Sequence, residues 1–154
     1  MNRKRLAIYL NDHLTGATAG LELARRARGS NQDNDLGAHL DALIPQLEDD
    51  RDEIKAVLSR HGLGEDRLKQ IGGLVAERTG RLKPNGQLTG YSPLSRLIEL
   101  DALRLGAEAR AGMWRSLAAA GVDGPDYAER ALRAERQRAE LESHRAWVAS
   151  EALA

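Results

Sequence analysis

Apolar residues recur along most of this chain at alternating three- and four-residue steps, the period of an amphipathic helix. Leu6, Leu10, His13, Ala17, Gly20 and Ala24 follow that rhythm and predict a first helix from about Lys4 to Arg28, ending at GSNQDND. Leu36, Leu40, Leu43, Leu47, Asp50, Ile54 and Val57 predict a second, from near Asp35 to about His61. Pro45 falls inside it, so the expectation is a kink or two shorter helices. A weaker stretch, Glu65 to Leu82, sets Leu68, Ile71 and Val75 on one side among Gly72, Gly73 and Gly80. KPNGQLTGYSP has the turn chemistry of a loop. Ser92 and Pro93 then suit the N-cap and first turn of a long helix to about Ala120. GVDGPD makes the last break, with Asp123 or Gly124 before a final helix from about Pro125 to near the end.

The 154 residues fit one helical domain spanning 1–154. The fold class is all-α: four long helices and one short one. About thirty residues separate the second and third long helices, and roughly 18 helical residues rise about 27 Å, so this connection can travel the length of a bundle. The third long helix then starts at the same end as the second, through a crossover that contains the short helix. The alternative places the short helix in the core as a fifth member.

The apolar stripes carry charges where a simple bundle carries Leu: His13, Asp50, Asp101, Glu108, Arg138 and Arg145. On the third long helix Asp101, Arg104, Glu108 and Arg115 form a narrow strip, with Leu94, Ile98 and Leu105 on one side and Leu97, Leu100 and Leu103 on the other. Charges flanked by Leu on both sides are expected to point inward. Ser95, Glu99 and Arg110 fall on the expected solvent face. On the last helix Tyr127, Ala131, Ala134, Arg138, Leu141, Arg145 and Val148 share a stripe, with Glu135 and Glu142 at its margin. The expectation is an ion-pair spine of Asp101, Arg104, Arg138, Glu142 and Arg145.

YLNDHLTGATAGLELARR on the first helix, LIELDALRLGAEARAGMWRSL on the third and AERQRAELESHR on the last resemble bacterial members of the ferritin and rubrerythrin superfamily. The resemblance implies a ferritin-like four-helix bundle with a Fe or Mn pair, held by a Glu on each of two helices and Glu-x-x-His on each of the other two. His13, Asp50, Glu108 and Glu135 are the residues it would make metal ligands. The chain departs from that pattern. Glu135-Arg-Gln-Arg138 and Glu142-Ser-His-Arg145 put arginine where imidazole belongs, and Asp50-Arg-Asp-Glu53 has no histidine. A guanidinium keeps its charge and offers five donors to carboxylates, so Asp50, Asp101 and Glu108 can be satisfied without metal. The preferred reading is a structural or interaction protein with no cofactor, and the competing one a Fe- or Mn-binding oxidoreductase or iron-handling protein.

Composition narrows the partners. With 23 basic and 23 acidic residues the net charge is +0, which recruits neither nucleic acid nor an anionic membrane. Cysteine is absent, which excludes disulfides and thiolate chemistry. The start, MNRKRLAIYLNDHL, turns polar too soon for a signal peptide, so a cytoplasmic protein is expected. Gly16 and Gly20 are expected to allow close helix packing or, less simply, room for an apolar ligand. Tyr9 and His13 lie one turn apart without a hydroxyl or thiol nucleophile beside them. His39, His61 and His144 read as surface residues. Trp114 and Trp147 suit a bundle margin or a subunit contact, and a homodimer or an unknown protein partner is expected.

Overall fold

Each described helix begins at a side chain that accepts from one of its free amides. In the computed structural model, which describes residues 2–65 and 91–154, the helices are α1 (Arg3–Gly29), α2 (Asp35–Arg60), α3 (Pro93–Ala119) and α4 (Tyr127–Ala152). Their N-caps, Asn2, Asn34, Ser92 and Asp126, each accept from the backbone N–H three residues on. Asp126 is thus the last cap, and Pro125 stays outside the helix. At the other ends, α2 and α3 stop at Gly62 and Gly121, with φ of 61° and 60°. Leu63 N–H donates back to Leu58 O at 2.9 Å and Val122 N–H to Leu117 O at 3.1 Å, which closes both ends with an apolar contact on the core side. Pro45 lies within a single uninterrupted α2, not at a break. The short helix expected from Glu65 to Leu82, and most of the loop after it, lie outside the described residues.

Contacts at the helix ends fix the directions. The start of α1 meets the end of α2, where Arg3 donates to Gly62 O and Asn11 Nδ2 to Gly64 O at 3.0 Å. The end of α1 meets the start of α3, where Asn31 Nδ2 donates to the Tyr91 hydroxyl at 3.0 Å and Tyr91 donates to Glu99 at 2.8 Å. Burial and the bond to Glu99 raise the Tyr91 phenol to about 12, against the opposing bond from Asn31, so it stays a donor. His61 donates to Asp123 O at one end of the α2–α4 seam, and His39 lies against His144 towards the other. The four helices therefore form a ring α1–α2–α4–α3 with antiparallel neighbours, and α2 and α3 run parallel.

The core is divided. Leu10, Leu14, Ile54, Leu58, Trp114 and Leu117 belong to one apolar cluster near the start of α1. Leu21, Leu40, Leu43, Leu100, Leu103 and Leu141 belong to a second near its end. Between them, on α2, α3 and α4, lie the buried polar residues Asp50, Arg110 and Gln137. Helix spacing is uneven as well: α3 and α4 pack closely along their length, whereas α2 and α4 approach at few points. No described helix is long and apolar enough to cross a membrane.

Two glycines should respond oppositely to alanine. A Cβ on Gly37 would sit 1.8 Å from Asn31 O, a backbone atom, whereas one on Gly16 meets nothing within 4 Å among the described residues. Gly37→Ala is expected to lose about 1–3 kcal/mol and Gly16→Ala to gain up to about 1 kcal/mol in urea denaturation. Equal responses would contradict the close approach at Gly37.

Candidate functional site

The most concentrated chemistry surrounds Asp50. Its position on the apolar stripe of α2 carries the carboxylate into the interior, where its exposure is 0%. A carboxylate stripped of water needs charged donors, and arginine supplies them. Arg133 Nη2 donates to Asp50 Oδ1 at 2.5 Å and Arg130 Nη1 to the same oxygen at 3.3 Å, while Arg110 Nε lies 3.4 Å from Oδ2. Arg130 and Arg133 also reach Asp49, and Arg130 reaches Glu53 at 3.2 Å. Arg110 then donates to Gln137 Oε1 at 2.8 Å, and Gln137 to Gln46 Oε1 at 3.0 Å. The network crosses from α2 to α3 and α4, with Asp49, Asp50 and Glu53 facing Arg110, Arg130 and Arg133 in charge balance.

The sequence places these groups by simple means. Arg110 is buried on a helix whose neighbouring Ala107 and Ala111 are small and buried too. Arg130 stands 5.4 Å over the Trp114 ring, which itself stacks on Tyr127 at 5.8 Å. Burial lowers the pKa of Arg110, partly opposed by Asp50. Burial pulls Arg133 the same way, but its hydrogen bonds to Asp50 and Asp49 outweigh it and raise the value. Asp49 is pushed up by burial and brought below its ordinary range by Arg133 and Arg130.

The charged strip expected to point inward lies at the margin between α3 and α4. Arg145 pairs with Glu142 at 2.7 Å and with Asp101 at 3.8 Å, Arg104 with Glu142 at 3.3 Å, and Arg138 with Glu108 at 3.1 Å. Asp101, Arg104, Glu142 and Arg145 are joined in one ladder and Arg138 pairs apart from it with Glu108, but their side chains are roughly a third to half exposed. Arg110, assigned to solvent from the sequence, is buried instead. Leu97, Leu100 and Leu103 are the core side of α3, and Leu105 on the other side of the strip is 60% exposed.

The four residues implied as metal ligands have separate partners. His13 packs edge-on against Tyr9 at 4.6 Å, Asp50 is ringed by arginine, Glu108 pairs with Arg138, and Glu135 pairs with Arg115. Among the described residues no group of three or more His, Cys, Asp or Glu could hold a metal ion. A Fe or Mn pair needs uncommitted carboxylates and neutral imidazole, so this donor set does not fit one.

Other expectations shift too. Trp114 is fully buried, not marginal, while Trp147 is 64% exposed. Gly16 and Gly20 serve no close packing among the described residues. His39 is not a free surface residue: its ring lies 4.8 Å from that of His144, with Nδ1 3.9 Å from Glu140. Burial, then the neighbouring His144, lower its pKa against the pull of Glu140, and burial lowers that of His13 against Asp12.

No family model, curated protein or solved structure matches the chain.

Removing the buried carboxylate tests the network. Asp50→Ala strands Arg110 and is expected to cost about 3–5 kcal/mol, while Asp50→Leu combined with Arg110→Met recovers most of it. Urea denaturation of the single and double variants measures both, and a double variant as unstable as Asp50→Ala would contradict this. The histidines set a pH dependence. His13 and His39 hold fewer protons folded than unfolded, so the stability present above their ordinary value of 6.5 is lost as pH falls through it towards the lowered values. Tm is expected to drop between about pH 7.5 and about pH 5, and to drop less in His13→Gln combined with His39→Gln. The Asp49 contribution is lost only at lower pH, since its carboxyl is already below 3.8.

Proposed function

We propose that this chain is a ferritin-like bundle in which an arginine–carboxylate network replaces the di-metal centre, and that it works as a structural or interaction protein. The carrying observation is the complete burial of Asp50 against Arg110, Arg130 and Arg133. The parallel α2 and α3, each flanked by antiparallel α1 and α4, support the ferritin-like part, since that order demands one long crossover. Large apolar side chains left in water support the interaction part: Leu105, Leu132, Trp147 and Leu153 are all at least half exposed.

The test is the metal content of protein purified without chelator and then offered Fe(II), Mn(II) and Zn(II), read by elemental mass spectrometry. Less than about a tenth of an equivalent is the expected result. Stoichiometric metal, retained on gel filtration and lost in His13→Ala or Glu108→Ala, would overturn the proposal and favour the oxidoreductase or iron-handling reading.

A further inference from the structure

The outer face of α3 carries a pattern that its own bundle does not use. Ile98, Ala102, Leu105, Ala109, Gly112 and Ser116 follow one another at steps of four, three, four, three and four, the spacing of a coiled-coil seam. Ile98 is half-buried and the other five are exposed. No charged residue interrupts the row over a length of about 27 Å. The core-facing row of the same helix, Leu103, Ala107, Arg110, Trp114 and Leu117, has the same spacing. α3 therefore carries small and apolar residues on two faces, and only one of them packs against the other described helices. The row is centred on Leu105, which is 60% exposed.

The residues beside the row choose the occupant. On the flank towards α4 stand Asp101, Glu108 and Arg115, one per heptad, with side chains 46%, 57% and 56% exposed. On the other flank the matching positions are Glu99, Gly106 and Met113, of which Gly106 has no side chain to hold a second helix away. In an antiparallel pair of identical seams the first flank meets itself. Asp101, 3.8 Å from Arg145 in its own chain, then faces Arg115 of the second copy, itself paired with Glu135, and the reverse contact repeats this, so charges of opposite sign alternate across the contact twice. Glu108 meets its own counterpart near the two-fold axis, and each copy brings Arg138, 3.1 Å from that carboxylate, to balance it. A parallel pair would set Asp101 against Gly106 and Glu108 against Met113, with no charge matched. The row is self-complementary only in the antiparallel sense, which is what an isologous two-fold contact requires.

We propose that α3 is the dimer interface of this protein: a second copy docks antiparallel along Ile98, Leu105 and Gly112, with paired Asp101–Arg115 contacts fixing the register. This rests on the interaction part of the proposed function and names its partner and surface. The ladder between α3 and α4 lies along the rim, which broadens the contact beyond one helix towards the roughly 800 Å² per partner of a stable interface.

Sedimentation equilibrium on the full chain tests it. The wild type is expected to be a dimer at micromolar concentration. Leu105→Glu, and independently Ala109→Glu, should be monomeric with an unchanged helical circular dichroism spectrum, because both positions are in water in the single chain. Asp101→Arg and Arg115→Asp should each weaken the dimer about tenfold or more, and the double charge exchange should restore it to within about threefold of wild type. Three results would overturn the proposal: a monomeric wild type, a dimer indifferent to both Glu substitutions, or a double exchange as weak as either single variant. Metal content is read separately, so a metal-free monomer sinks this inference alone, and a metal-loaded dimer sinks only the absence of a metal centre.

Discussion

A carboxylate with no exposure to water sets the terms for this bundle. Moving Asp50 from water into the interior costs several kcal/mol unless donors of opposite charge replace the solvent. They arrive from two helices: Arg110 from α3, Arg130 and Arg133 from α4. Each arginine has a long stem and a planar head, so the helices it joins need not touch. That accounts for the unequal spacing of the ring. α3 and α4 pack closely and carry the buried Ala107, Ala111, Ala131 and Ala134, small enough to admit close backbone approach, while α2 and α4 stand apart and are bridged by guanidinium and carboxylate.

The same network links the two apolar clusters that it separates. Arg130 lies between the buried charge and the Trp114 ring, so the cluster near the start of α1 is tied to Asp50 through one side chain. Gln137 and Gln46 carry the polar layer towards the cluster on the other side. Hydrophobic contact alone tolerates sliding of one helix along another, since Leu repeats look alike from turn to turn. A unique pairing of Asp50 with three arginines does not, because a shift of one turn leaves charges unpaired in a dry environment.

Helix boundaries were legible in the sequence because they are written in local chemistry. Asn34, Ser92 with Pro93, Gly62 and Gly121 act within a few residues of themselves, and the ends they mark fall within about two residues of expectation. The faces were less legible. On α3 apolar residues lie on both sides of Asp101, Arg104 and Glu108, so the pattern alone points inward in either direction. Burial resolves it: Leu97, Leu100 and Leu103 face the core, and Leu105 does not. Arg110 reads from the sequence as a solvent-face residue because its neighbours are Ala and Gly, which give little hydrophobic signal. Its place on the row through Leu103, Ala107, Trp114 and Leu117 is the sign that could have found it. On α4 Gln137 is the buried polar residue, while Arg138, one step on, lies at the margin against Glu108.

Charge accounting shows why a network of this kind and a di-metal centre exclude each other. Asp49, Asp50 and Glu53 present three negative charges, and Arg110, Arg130 and Arg133 answer with three positive. A divalent ion added to this set would bring two uncompensated positive charges into a region that excludes water. It would also compete with the guanidinium heads of Arg133 and Arg130, which already donate to Oδ1 of Asp50. In a metal-binding bundle the ligand that completes the charge balance is imidazole, which is neutral when it binds and so leaves room for the ion. Here Arg138 and Arg145 are spent on Glu108, Asp101 and Glu142 at the rim. A histidine introduced at either position would add one neutral donor and leave the buried carboxylate facing Arg110, Arg130 and Arg133.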